Sequence, residues 1–314
     1  MSFTSSFKQL LHRNGIHPRR WLTGFVSYPR FLGYVKPQLM TASEQEFLVR
    51  RKILARAWQP RQLTAPVGKR IVALCPHPDD ESIGAGGLLL AHRGRGEVHL
   101  VCLCNGDRGG ELDSPQAGKS KLVETRKAEL RKTAETLKAT SVRHLDYPDG
   151  AIPCSPGAIE QLRAVINDIR PDVVVLPWLL DGHPDHRRTN LLYAWACSDI
   201  EAMVLGYEIW TMLEPNAVFD IAPYLSEKLA LIQNYRSQLR TVDYVNYADG
   251  LARVRAYHAA FSPHRSGAAE AFLALPNHEY CEMVFQLYGA PGQIRADAAA
   301  LLDLTQPEML AVIK

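Results

Sequence analysis

Two short segments of this chain combine histidines and acids at spacings that can hold a metal ion. The first is Pro76-His77-Pro78-Asp79-Asp80-Glu81 and the second is Asp181-Gly182-His183-Pro184-Asp185-His186. A zinc ion that hydrolyses amides takes three nitrogen or oxygen ligands and keeps an open position for water. His77 and Asp80, separated by one tight turn, can reach a single ion, and one of His183 and His186 completes the set. Asp79 is then left beside the ion rather than on it. That place suits a general base, because zinc lowers the pKa of its bound water to about 7 and a nearby carboxylate can take the proton. The other histidine of the second segment can stabilise an oxyanion or protonate a leaving amine as an imidazolium, with Asp185 raising its pKa to keep it charged. The expected centre is mononuclear, with one zinc or another divalent transition metal per chain.

Both segments follow runs that read as buried strands. Arg70-Ile71-Val72-Ala73-Leu74-Cys75 and Asp172-Val173-Val174-Val175-Leu176 are short, β-branched and continuously apolar, the pattern of a parallel sheet covered on both faces. In open α/β sheets ligands bind at the carboxyl ends of such strands. From Lys69 onward strands and helices alternate, so the expected fold is α/β, a Rossmann-like and mostly parallel sheet with flanking helices. Gly84, Gly86 and Gly87 precede an expected helix at Leu88-Leu89-Leu90-Ala91, and they do not form a dinucleotide fingerprint. Further strands are expected at Val98 to Cys104, Val142 to Leu145 and Met203 to Trp210. Helices are expected over 119–138, 156–169 and 187–200, with Arg126 and Glu129 pairing on a solvated face. Beyond Pro223 the pattern reads as largely helical.

Composition narrows the function classes. A formal charge of +3 over 314 residues, without a basic helix or aromatic-interleaved motif, argues against nucleic acid as a partner. Cys75, Cys102, Cys104, Cys154, Cys197 and Cys281 show no CxxC pair, so buried free thiols are expected rather than disulfides. No apolar run approaches the roughly 20 residues that cross a bilayer, and the expected location is cytoplasmic.

The two segments make the chain resemble the PIG-L family of zinc-dependent de-N-acetylases, also called LmbE-like proteins. The family's HPDDE motif is His77 to Glu81 and its HPDH motif is His183 to His186. The resemblance extends to Asn105-Gly106-Asp107-Arg108-Gly109-Gly110, Arg126 and Glu129, the Asp146 to Gly150 turn, Tyr235-Arg236-Ser237-Gln238 and Ala269-Glu270-Ala271-Phe272. It implies His77, Asp80 and His186 as metal ligands, Asp79 as general base, and His183 as the group that supports the oxyanion or protonates the amine, tuned by Asp185. It also implies Arg108 as a sugar or phosphate contact. Some members carry a tyrosine where this chain has Asp181. The implied reaction is hydrolysis of the N-acetyl group of an amino-sugar glycoside, glycolipid or saccharide, and the alternative is an amidase of a larger thiol or antibiotic conjugate. A nucleotide-binding protein would need the missing glycine fingerprint, and a two-metal phosphoesterase would need further bridging ligands.

The resemblance places a deacetylase domain over 65–314 and leaves 1–64 as an extension and linker. Residues 1–43 contain Lys8, Arg13, Arg19, Arg20, Arg30 and Lys36 but no acid, interleaved with Trp21, Phe25, Tyr28, Phe31 and Tyr34. Such an arm packs on the body or on a second subunit of a homo-oligomer, or it rests on the anionic inner face of a membrane. Co-sedimentation with anionic vesicles separates the two. A membrane arm binds at low salt, releases at high salt, and takes the binding with it when 1–43 are deleted; a packing arm leaves both versions in the supernatant.

Overall fold

A computed structural model describes residues 60–108, 118–240, 242–259 and 267–303. These lie in the second of the two units into which the chain divides, 47–314. The arm 1–43 lies outside the described residues, as does 44–57, where Phe47, Val49, Ile53 and Leu54 read in the sequence as one apolar face of a helix.

An eight-stranded sheet forms the centre, in the order β1-β7-β8-β6-β5-β2-β3-β4. The strands are β1 (Arg61–Leu63), β2 (Arg70–Cys75), β3 (Glu97–Cys104), β4 (Ser141–Tyr147), β5 (Val173–Pro177), β6 (Met203–Tyr207), β7 (Ala217–Asp220) and β8 (Ala269–Pro276). The helices are α1 (Asp80–His92), α2 (Gly118–Leu137), α3 (Pro156–Ile169), α4 (Pro184–Cys197), α5 (Leu225–Gln233), α6 (Tyr244–Ala259) and α7 (Asn277–Tyr288). Pairing is parallel except on either side of β8, which runs against both β6 and β7. The Rossmann-like expectation holds. All six cysteines are buried and free, as expected, and no described helix is long and apolar enough to cross a membrane.

Strand order explains the position of the chemistry. From β2 the chain winds outward to β3 and β4, then returns to lay β5 on the opposite side of β2, with Ile71 opposite Val173 and Ala73 opposite Val175. That reversal opens a crevice above the carboxyl ends of β2 and β5, because their crossover helices depart in opposite directions. The two motif segments follow these two neighbouring strands.

Two sequence expectations change. The chain beyond Pro223 is not simply helical, since β8 inserts between β6 and β7. Every residue of β8 from Ala269 to Leu275 is buried, so it shows no alternation and cannot be told from a buried helix by periodicity. The helix after β2 also begins earlier than expected, at Asp80, and Gly84, Gly86 and Gly87 lie inside it. Ala85 leaves the helical region (φ −135°, ψ 15°) and kinks α1. The break frees the backbone N–H groups of Gly87 and Leu88, which donate to the Glu270 carboxylate of β8 at 2.8 and 2.9 Å. Lys228 Nζ donates to the same carboxylate at 2.7 Å.

Gly84 serves close packing. A Cβ there would lie 2.1 Å from Cδ2 of Tyr207, whose hydroxyl donates to Leu74 O on β2. Gly84→Ala should therefore lower unfolding free energy by about 1–3 kcal/mol, the usual cost of overpacking. Gly250→Ala in α6, where nothing lies within 4 Å of the added Cβ, should instead be neutral or raise it by about 0.5–1 kcal/mol. Denaturant melts of the two variants make the comparison.

Candidate active site and metal centre

Two helix N-termini meet over the crevice, and each brings a positive dipole end to the same place. Asp79 precedes α1 with φ 136° and ψ −26°, and its side chain makes no helix cap. A residue with a Cβ holds such a backbone at a cost of about 1–3 kcal/mol, and persists there only when its surroundings enforce it. The conformation leaves the Asp79 carboxylate free for Arg126, whose Nη2 lies 3.5 Å away. Asp80 folds back so that its Oδ2 accepts the His77 N–H at 2.8 Å. His183 precedes α4, with Pro184 in the first turn, and its Nδ1 accepts the Asp185 N–H at 3.1 Å.

The expected ligand set is brought together. His77 turns Nε2 outward to Asp185 Oδ2 at 3.1 Å and Asp149 Oδ1 at 3.4 Å, and Nδ1 inward to Asp80 Oδ2 at 3.2 Å. His186 turns Nδ1 outward to Asp181 Oδ1 at 2.9 Å and Nε2 inward to Asp80 Oδ2 at 3.4 Å. A carboxylate on the outer nitrogen of each ring places the proton there and leaves the inner lone pair for an ion. The His183 ring completes the cluster, with centroids 4.8 Å from His77 and 5.0 Å from His186.

The donor chemistry fits a divalent ion. Both ring nitrogens of His186 are buried and neither completes an aligned hydrogen bond, while Nε2, the His77 Nδ1 and the Asp80 carboxylate face one another. Two imidazoles and a carboxylate form a set that zinc accepts. Among the described residues, the groups whose ligand atoms all lie within 4.8 Å of one another are His77 with His183 and His186, and His77 with Cys104 and Asp185; Asp80 Oδ2 adjoins the first, 3.2 Å from His77 Nδ1 and 3.4 Å from His186 Nε2. In the second of these groups the Asp185 carboxylate is already engaged by the Gly150 N–H at 2.6 Å and by Arg188 at 3.1 Å, so it serves better as the partner of the His77 Nε2–H.

Electrostatics follow the same wiring. Burial alone would lower the pKa values of both His77 and His186. For His77, hydrogen bonds to Asp149, Asp185 and Asp80 outweigh it and carry the value well above the ordinary one. For His186, the charges of Asp80 and Asp181 outweigh it and raise the value to about 9. Asp80 is held well below the usual carboxylate range, against burial, by His186 and His77. Burial raises Asp79 well above its ordinary value despite the Arg126 charge.

The Asp185 charge raises the His183 pKa in the expected direction but is outweighed, and the pairing differs from the expected one. The Asp185 carboxylate does not pair with His183; it bonds His77, and only the Asp185 backbone N–H reaches the His183 ring. Burial, followed by the His186 and His77 charges, lowers His183 to about 4, so at neutral pH it is a neutral ring with its proton on Nε2. The Arg126–Glu129 pair is also absent. Arg126 is buried and reaches Asp79, Asp149 and the Pro78 carbonyl, whereas Glu129 binds Ser237.

Three residues that the sequence reading named without giving them a role stand in the site. Asp181 is fully buried, orients His186, and accepts the N–H groups of Ile209, Trp210 and Thr211 on its other oxygen. Asp149 faces His77, and Arg126 faces Asp79. Arg126 did carry a signal, a charge spaced four residues from both Leu122 and Leu130 on the apolar stripe of α2. The Arg108 side chain is exposed at the rim beside Gly150, where an added Cβ would lie 2.7 Å from Arg108 Nη1.

The PIG-L family, described as GlcNAc-PI de-N-acetylase, matches residues 72–197. The diacetylchitobiose deacetylase of Thermococcus kodakarensis is 29% identical over 217 residues, covering 63% of this chain and 80% of that protein. Among solved structures, N,N'-diacetylchitobiose deacetylase from Pyrococcus horikoshii has a TM-score of 0.59 at 22% identity, over 77% of this chain and 96% of the other. The 4-carboxy-2-hydroxymuconate hydratase GalB of Pseudomonas putida has a TM-score of 0.56 at 23% identity, over 66% and 96%. One fold thus carries two chemistries, and the side chains must decide between them.

The wiring has a pH signature. A histidine whose folded pKa rises from 6.5 to about 9, as for His186, contributes stability that is complete below 6.5 and lost as pH rises through 9. Protein stripped by a chelator should therefore lose stability between these values. Protein loaded with zinc should not, since the ion replaces the proton, and metal affinity should climb over the same range. Denaturant melts with and without chelator at several pH values measure both effects.

Proposed function

The chain belongs to the PIG-L family through residues 72–197, and from that premise we propose that it hydrolyses the N-acetyl group of an acetylated amino sugar through a zinc site formed by His77, Asp80 and His186. The observation that carries this reading is the convergence of two imidazole nitrogens on the Asp80 carboxylate, with a second carboxylate, Asp79, beside them. When bound there, zinc supplies Lewis-acid polarisation of the acetyl carbonyl and acidifies water.

The remaining work falls to side chains. Asp79 takes a proton from the attacking water as its oxygen adds to the acetyl carbon. Burial makes Asp79 a stronger base than an exposed aspartate, and Arg126 keeps its carboxylate in place. His183, neutral with its proton on Nε2, donates that N–H to the oxyanion. As the tetrahedral carbon collapses, the C–N bond breaks and Asp79 returns its proton to the departing nitrogen, giving the amine and acetic acid, which releases its proton to solvent as acetate. Arg108, exposed at the rim, is available to the rest of the sugar. The basic, aromatic segment 1–43 would bring the site to a lipid-linked saccharide, the form of substrate that the vesicle experiment separates from a soluble one.

Acetate release from N-acetylglucosamine and N,N'-diacetylchitobiose by zinc-loaded protein tests the reading. Asp79→Asn should keep its metal and lose turnover by about 10²- to 10⁴-fold, the range for a lost general base, whereas Asp80→Ala should lose the metal. His183→Ala should keep the metal and lower kcat more than it raises KM, as expected of a contact made in the transition state. Absence of acetate release from every acetylated amino sugar would overturn the assignment.

A further inference from the structure

Three sequence features have no part in this mechanism: Glu81 at the end of the first motif, Glu129 on α2, and Tyr235-Arg236-Ser237-Gln238. The fold gathers all of them behind Asp79. Glu81 is fully buried, and its two oxygens have distinct tasks. Oε2 accepts the backbone N–H of Asp79 at 3.2 Å. Oε1 accepts the hydroxyl of Ser82 at 2.7 Å and that of Tyr235 at 2.5 Å. Tyr235 is itself buried, just past the end of α5.

The turn that carries Tyr235 is fastened in its turn. Glu129 accepts the Ser237 N–H at 3.0 Å and the Ser237 hydroxyl at 2.7 Å. One helical turn earlier on α2, Arg126 donates to the Pro78 carbonyl at 3.0 Å and lies 3.5 Å from the Asp79 carboxylate. Asp79 is therefore gripped at its backbone by Glu81 and at its side chain by Arg126, and Glu129 ties the two grips together. Asp79 needs such a grip, because its φ of 136° is one that a residue with a Cβ leaves when nothing holds it.

We propose that Tyr235 and Glu81 are positioning residues for the general base: the Tyr235–Glu81 hydrogen bond locks the Asp79 peptide in its positive-φ conformation and so sets where the Asp79 carboxylate meets the attacking water. Without the Tyr235 hydroxyl, Glu81 loses a buried donor, turns to recover one, and releases the Asp79 N–H. The peptide then relaxes toward ordinary φ and swings the carboxylate away from the reacting atoms. The inference rests on Asp79 being the base.

Tyr235→Phe keeps the ring in the core and removes only the hydroxyl. It should lower kcat for N,N'-diacetylchitobiose by about 10- to 100-fold, the effect of an ångström-scale misplacement of a reacting group. KM and metal content should stay within about twofold of wild type, since neither substrate binding nor the ligands depend on the hydroxyl. Hydrogen exchange should show faster exchange of the Asp79 amide while β2 and β5 keep their protection. Wild-type kcat, or unchanged exchange at Asp79, overturns the proposal. If Tyr235→Phe fails to fold, Glu81→Gln and Glu81→Leu decide: the amide oxygen of Gln still accepts the Asp79 N–H and should retain most of the turnover, while Leu should not. Equal turnover in these two variants overturns the proposal as well. Asp79→Asn, assayed alongside, separates the failures. Full activity there means that the base assignment is wrong, whereas an inactive Asp79→Asn beside fully active Tyr235→Phe and Glu81→Leu means that the base stands and the grip does not matter.

Discussion

An excess of buried negative charge in one crevice is the constraint on which this structure turns. Asp79, Asp80, Glu81, Asp149, Asp181 and Asp185 are all buried around the ends of β2 and β5, against Arg126, Arg187 and Arg188. Unpaired buried carboxylates are expensive. Backbone N–H groups meet part of the cost, at Asp181 and Asp185 above all. What they leave is the Asp80 carboxylate facing two imidazoles, an arrangement that calls for a cation, either protons on the rings or a metal in their place.

That requirement explains why the surroundings are so heavily fastened. A ligand set works only if its rings keep their orientation, and here each outer nitrogen is addressed by a buried carboxylate that is itself held by backbone donors. Asp181 belongs to the orientation of His186. Asp185 performs the same service for His77. His183, whose ring neither carboxylate bonds, is the one left neutral. Three histidines of similar sequence context thus acquire separate tasks from their partners alone.

The scaffold contributes through close approach. Helix α1 begins in the site and must lie low over the sheet to place Asp80, which Gly84 permits by admitting Tyr207. The break at Ala85 would leave N–H groups without acceptors in the core, and Glu270 of the inserted strand β8 takes them. A strand laid in late in the chain is therefore coupled to the helix that carries the first motif. Lys228 neutralises that carboxylate, so the support remains apolar in its net effect on the site.

Local pattern alone located the strand ends that carry the two His/Asp segments and pointed to the class of chemistry, through apolar runs of strand length, proline-bracketed turns and the residue types gathered there. It also carried the helices α2 and α3 nearly to their ends, because their apolar stripes and boundaries are local. Which carboxylate serves which histidine was settled by folding. Asp185 is two residues from His183 yet bonds His77, more than a hundred positions away in the chain, and hydrogen bonds of that kind leave no period or spacing to read. The same holds for β8, whose burial on both faces erased the alternation of a strand, and for Arg126, whose charge is tolerated in the core only because Asp79 and Asp149 fold up against it. Local propensity is written along the chain, whereas partnership across it exists only once the chain has folded.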